Sequence, residues 1–228
     1  DGTFTAFGPM NERTQQALPV VEDMLGWLFS ISKDDLAPGS MGRSIFEAAD
    51  RGEIGQESCI PLMMAYLVAG LDTTVNAISN AVLLFAQHPE QFELLRDDAT
   101  LIPAALNEVL RFDSPVQAFT RVLRRDHSLD GVTIPEGERV VLLYGSGNRD
   151  SRHYEDPDEF DIKRNPFDHL SFGYGVHSCA GQGLARIEAH AIIGALVRHV
   201  SRLEVGQPVR HLNNVIRGLE KLPTRVVS

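Results

Sequence analysis

The stretch HLSFGYGVHSCAGQGLARIE, residues 169–188, sets Cys179 behind Gly173 and Gly175 and ahead of Gly181 and Gly183, at the entrance to a helical pattern. A structural thiol normally sits inside a regular apolar element, whereas glycines on both sides strip this backbone of side-chain bulk. The segment, about residues 170–183, is therefore expected to be a loop with something bulky packed against it. A thiolate at the start of a helix is stabilised by unsatisfied amide donors and by the helix dipole. On these residues alone the thiol is a nucleophile with His177 as its base, a metal ligand, or a structural or redox thiol. The glycines fit a flat cofactor better than a simple nucleophile.

The rest of the chain narrows the setting. With 228 residues and 43% hydrophobic content, the composition is that of an ordinary globular protein with one substantial core. A formal charge of −10, with no basic stripe, argues against nucleic-acid binding. Cys59 and Cys179 lie far apart and form neither a disulfide framework nor a metal-type pair, which favours a reducing, cytoplasmic setting. The most apolar region, residues 60–85, has the length of a membrane span, but Asp72, Thr73, Thr74, Asn76 and Asn80 stud its middle. A long buried helix is the expectation there.

Periodicity predicts helices over residues 11–30, through SIFEAAD, over about 57–87, through PEQFELLRDD and IPAALNEVLRF, and through LARIEAHAIIGALVRHV. Pro89 suits a first helical turn, and Pro115 biases Ser114 away from helix. TRVLRRDHSL, VTI and RVVLL read as short strands, with Asp130 and Gly131 as a hairpin turn and PEGE as another. Weak strands follow the last helix. No repeat or low-complexity linker divides the chain, so one domain, or part of one, is expected.

FGYGVHSCAG, residues 172–181, resembles the heme-binding signature of the cytochrome P450 monooxygenases, with Phe172, Gly173, Gly175, His177, Cys179 and Gly181 on the family's pattern. The resemblance implies heme b as cofactor, Cys179 as the sole protein ligand to its iron, Phe172 shielding the proximal face and His177 beside a propionate. Donation from such a thiolate helps the O–O bond to break. AGLDTT, residues 69–74, resembles the family's oxygen-activation motif, which implies Asp72 and Thr73 as the acid and alcohol of a proton relay. Independently, a helical threonine can donate to the carbonyl one turn back, here Ala69, and open a groove where Gly70 leaves room. Glu108 and Arg111 share a helix face. Beside the other motifs they resemble the family's Glu–Arg pair, which implies an interlock with Arg164 that helps retain heme. A bidentate guanidinium suits such a lock. Arg121 matches an arginine that meets a heme propionate.

The resemblance spans nearly all of the chain but only the family's carboxyl-terminal portion. Residues 1–228 are thus read as that portion of a single domain, in a mainly α fold with small antiparallel β units. It implies a missing amino-terminal half that completes the heme cradle and pocket, so unaided monooxygenation by these residues is not expected. Leu67, Val68, Ala69, Val116, Ala118 and Phe119 are pocket candidates. SPVQAF and RGLEKLPTRV look most like soluble bacterial class I members, including those that oxidise para-substituted benzoic acids, although Val68 departs from the polar residue expected in that group. This implies hydroxylation or O-dealkylation of a small organic substrate, aromatic acids included. Ferredoxin and an NAD(P)H-dependent ferredoxin reductase would supply electrons, with no membrane or nucleic-acid partner. Arg186 is the candidate charge for an acidic ferredoxin. Two other readings stay open: a thiol enzyme or redox sensor using Cys179 and His177, and a non-catalytic heme-binding module.

Overall fold

The computed structural model describes residues 2–6 and 8–228. Its helices are α1 (Gly2–Ala6), α2 (Glu12–Ser30), α3 (Met41–Asp50), α4 (Cys59–Gln87), α5 (Pro89–Asp97), α6 (Ile102–Phe112), α7 (Tyr144–Gly147) and α8 (Gln182–His199). Its strands are β1 (Ala118–Val122), β2 (His127–Leu129), β3 (Val132–Ile134), β4 (Arg139–Leu143), β5 (Arg202–Val205), β6 (Val209–His211), β7 (Gly218–Lys221) and β8 (Thr224–Val227). Every ladder is a two-stranded antiparallel pair: β1 with β4, β2 with β3, β5 with β8 and β6 with β7.

Local chemistry accounts for most boundaries. The Asn11 side chain accepts from the Thr14 amide at 3.0 Å and starts α2, and Ser40 accepts from the Arg43 amide at 3.3 Å and starts α3. Pro89 opens α5, where its missing N–H costs nothing. Asp130 and Gly131 both take positive φ, 49° and 80°, the two-residue turn that suits the twist of the β2–β3 hairpin. The PEGE turn behaves differently from a second hairpin. Gly137, at φ 85°, delivers the chain to β4, whose partner is β1 rather than β3. Bonds from the Leu123 amide to Glu138 O and from the Gly137 amide to Leu123 O extend that ribbon, so the β2–β3 hairpin projects from its end.

The chain resolves into two compact units, Asp1–Thr73 and Thr74–Ser228. Leu28, Ile45, Ala49, Cys59 and Met63 are buried together in the first. In the second, α4, α5, α6 and α8 bury Phe85, Leu95, Leu106, Val109 and Ile193 against one another. Helix α4 contributes residues to both cores, but neither core includes residues 68–76. The expectation of a helix buried along its length is therefore corrected: Ala81, Leu83, Leu84 and Phe85 are buried, while Tyr66, Leu71 and Val75 are exposed. Among the described residues the segment Gln56–Gln87 is the one helix long and apolar enough, by length and composition, to cross a membrane.

Candidate functional site

The cysteine segment is a loop closed on itself before α8. A single 3₁₀ turn, Leu170–Phe172, is capped by the His169 ring, whose Nδ1 accepts from the Ser171 amide at 3.2 Å. Gly173 then takes φ +69° and ψ −168°, and a Cβ there would lie 3.0 Å from His177 O. Gly175 also takes a positive φ, 66°. The loop closes when the Cys179 amide donates to Phe172 O at 2.7 Å. This leaves the Cys179 thiol exposed beside exposed Tyr174, Val176 and His177, while Cys59 is buried. Burial pushes the Cys59 thiol up, which suits packing rather than ligation. Among the described residues no hydrogen bond joins Cys179 to His177.

The loop rests on Phe172, which packs against the larger core. The Arg186 guanidinium lies 4.9 Å from the Phe172 ring centroid, and its Nη1 donates to Asn107 Oδ1 at 2.6 Å. Half-buried there, Arg186 props the loop from within rather than standing out as a charge for a partner, and burial lowers its pKa. His169, Phe172, Gly173, Ser178, Gln182 and Arg186 line an open cavity of about 260 Å³ beside the loop. Burial, and secondarily Arg186, pushes the His169 ring down to about 4.

Glu108, Arg111 and Arg164 meet. Arg111 donates from Nε and Nη2 to the two Glu108 carboxylate oxygens, each at 2.7 Å, and both side chains are fully buried. Arg164 Nε reaches Glu108 Oε1 at 3.4 Å. The remaining donors go to main chain: Arg111 to Asn148 O at 2.9 Å, Pro157 O at 2.8 Å and Glu159 O at 3.1 Å, and Arg164 to Glu155 O at 2.5 Å and Asp156 O at 3.1 Å. The Asp161 amide completes the shell of Glu108 Oε1 at 3.0 Å. A buried ion pair is tolerated when its lone pairs and protons are satisfied in this way. Spacing alone put the two on one helix face; it did not foresee their burial.

Asn148 was missed by sequence reasoning. It lies in the loop-rich stretch NRDSRHYEDPDEF, where Asn reads as turn chemistry, yet it is fully buried. Its Nδ2 donates to Ser114 Oγ at 2.8 Å and Ser171 Oγ at 3.0 Å, and its Oδ1 accepts from the Leu170 amide at 2.7 Å.

In the first unit, Thr73 Oγ1 donates to Ala69 O at 2.6 Å, the back-bond expected from AGLDTT. Asp72 and Thr73 are half-buried, Leu67 packs against the first core, Val68 is buried and Ala69 is exposed. In the second unit, Val116 bridges Ile216. Neighbours in a strand point to opposite faces, so β1 separates Ala118 from Phe119, whose ring lies edge-on to Tyr144 at 6.3 Å. Arg121, half-buried, donates to Thr120 O at 2.9 Å.

The donor set fits a heme. Among the described residues no group of three or more His, Cys, Asp or Glu could hold a bare ion. A single exposed soft thiolate on a slim loop suits an iron whose other ligands a macrocycle supplies.

Comparison with known proteins agrees with this geometry. The cytochrome P450 family model matches residues 7–218. The chain is 44% identical over 225 residues to cytochrome P450 CYP199A2 of Rhodopseudomonas palustris, covering 98% of this chain and 55% of that protein. It is 38% identical to the vitamin D3 dihydroxylase of Streptomyces griseolus, covering 92% and 53%. The crystal structure of CYP109E1 from Bacillus megaterium with testosterone superposes with a TM-score of 0.89 at 29% identity, over 98% of this chain and 62% of that one. P450BioI in complex with an acyl carrier protein gives 0.85 at 35%, over 99% and 61%. The chain thus spans about half the length of the curated relatives it matches. A mainly helical fold with small antiparallel ladders, a glycine-framed thiol at the head of α8 and a match over nearly the whole length place this chain in the cytochrome P450 family, whose cofactor is heme b.

Proposed function

We propose that residues 1–228 form the carboxyl-terminal portion of a single cytochrome P450 domain, and that the whole enzyme is a heme-thiolate monooxygenase. The observation that carries this is the exposed Cys179 thiol, framed by glycines and set at the start of α8. In the overall reaction one atom of dioxygen enters a C–H bond and the other leaves as water, consuming two electrons and two protons. Heme iron held by the Cys179 thiolate supplies the activation of dioxygen, because thiolate donation favours O–O cleavage.

This chain's own residues bind, orient and move protons around that chemistry. Cys179 Sγ would hold the iron, and Gly173, Gly175 and Gly181 would keep side chains out of the way. Phe172 would shield the proximal face, Arg121 would meet a propionate and His177 would lie near one. Glu108, Arg111 and Arg164 fasten the segment that precedes the loop. On α4, the Asp72 carboxyl would take up and release protons and the Thr73 hydroxyl would hold a proton for transfer. Leu67, Val68, Ala69, Val116, Ala118 and Phe119 are the candidates for contact with substrate.

The substrate we propose is a small organic molecule, with para-substituted benzoates as the first class to try, on the strength of SPVQAF. Relatives named vitamin D3 dihydroxylase and β-dihydromenaquinone-9 ω-hydroxylase support hydroxylation as the reaction. Electrons come from a ferredoxin and its NAD(P)H-dependent reductase, and the enzyme works in the cytoplasm. The test is the heme-loaded protein, reduced under carbon monoxide. A thiolate-type Soret band that Cys179→Ser abolishes and Cys59→Ser preserves is expected. Absence of heme uptake, with a function lost to iodoacetamide, would replace the proposal with thiol chemistry.

A further inference from the structure

We propose that Asn148 is the positioning residue that couples the buried Glu108–Arg111 lock to the loop carrying Cys179. Its main chain belongs to the lock: Arg111 Nη1 donates to Asn148 O at 2.9 Å, and the Asn148 amide donates to Tyr144 O at 2.9 Å, closing α7. Its side chain belongs to the loop, through the Leu170 amide and Ser171 Oγ. Leu170 and Ser171 open the turn whose last residue, Phe172, accepts from the Cys179 amide at 2.7 Å. One buried residue therefore stands between the ion pair and the thiol, with a hydrogen bond at each step.

Proton accounting fixes the residue type. Ser114 Oγ and Ser171 Oγ each lie within reach of Leu110 O, at 2.7 and 2.6 Å, and 2.8 Å from one another. Each hydroxyl has one proton, and both are consumed by Leu110 O and by this mutual contact. Each serine therefore offers a lone pair to Asn148, which must supply two donors on one side and an acceptor for Leu170 on the other. Only a neutral primary amide does this at that reach. An aspartate would turn acceptor oxygens on the serine lone pairs and bury a charge. Leu170 also packs closely on α7, where a Cβ added at Gly147 would come within 2.7 Å of Leu170 Cδ1.

The proposal rests on the heme-thiolate reading for its spectroscopic arm only. In the heme-free chain, Asn148→Ala is expected to speed hydrogen exchange at the Leu170, Ser171 and Cys179 amides roughly tenfold, the loss of about one hydrogen bond. Exchange in α6 and α8 should stay as it was. In the heme-loaded protein the same substitution should convert part of the thiolate-type carbon monoxide band to the non-thiolate form at equal heme content. Asn148→Asp should do the same, and Asn148→Gln should not restore the wild type. If Asn148→Ala fails to fold, Ser171→Ala removes one of the side-chain anchors and should show the same localised exchange to a smaller degree. Unchanged exchange and an unchanged band would overturn the proposal, as would a loss of protection spread evenly over loop, α6 and α8. A wild-type whole enzyme that takes up no heme would overturn the function proposed above and leave the exchange result standing.

Discussion

Gly173 carries the strictest backbone requirement in the thiol loop. At φ +69° and ψ −168° it occupies a region essentially reserved for glycine, and any Cβ would press on His177 O at 3.0 Å. Gly173→Ala is expected to cost about 1–3 kcal/mol of loop conformation and to appear as lost heme content in the purified protein. Arg111 makes a different demand. Arg111→Lys keeps the charge but loses the fork that engages both Glu108 oxygens, leaving a buried carboxylate short of partners. About 1–3 kcal/mol of stability should go with it, read as a lower urea midpoint. At Thr73, replacement by alanine is expected to divert electrons to peroxide, measured as product per electron. Asp72→Asn should slow turnover by about a hundredfold or more with heme content retained. These residues differ in how readable they were. Cys179 and its glycines announce themselves because their chemistry is local. Glu108 and Arg111 are three apart like many surface pairs, and their burial depends on residues 148–161 folding back over them. Asn148 gave no signal, since its partners at 111, 114, 170 and 171 are brought together only by the tertiary fold.

At the scale of elements, helix limits and the β2–β3 turn followed from caps, prolines and a positive-φ pair, all short-range effects. The pairing of β1 with β4 did not, because a two-residue turn specifies its own hairpin and nothing beyond it. Arg186 was misplaced for a related reason: on α8 the pattern does not say which polar residue turns toward Phe172. The turn that precedes the thiol also has its own pH response. His169 is held neutral down to about 4, whereas an unfolded histidine titrates near 6.5. Between those values the unfolded chain binds the additional proton, so stability falls as pH drops from 6.5 toward 4 and the loss then levels off. The contribution reaches up to about 3 kcal/mol. His169→Asn keeps an acceptor for the Ser171 amide and removes the titration. Its urea midpoint should change less between pH 7 and pH 4.5 than that of the wild type.

At the scale of the molecule, the chain spans about half the length of its curated relatives, and α4 leaves Tyr66, Leu71 and Val75 exposed. The monooxygenase proposed above would have to keep water from its reactive centre, so turnover by these 228 residues alone is expected to be poorly coupled. Product formed per electron consumed, measured with a competent donor, checks this. The buried lock has a consequence for how this sequence can vary. What Arg111 and Arg164 grip in residues 148–161 is carbonyl oxygen from Asn148, Glu155, Asp156, Pro157 and Glu159, and Glu108 receives the Asp161 amide. Every amino acid supplies that carbonyl. The lock itself therefore asks nothing of the side chains at 155, 157 and 159, although Asp156, at φ 43°, and Asp158, paired with Arg149 Nη1 at 2.6 Å, carry demands of their own; inserting or deleting a single residue would put each carbonyl out of register at once.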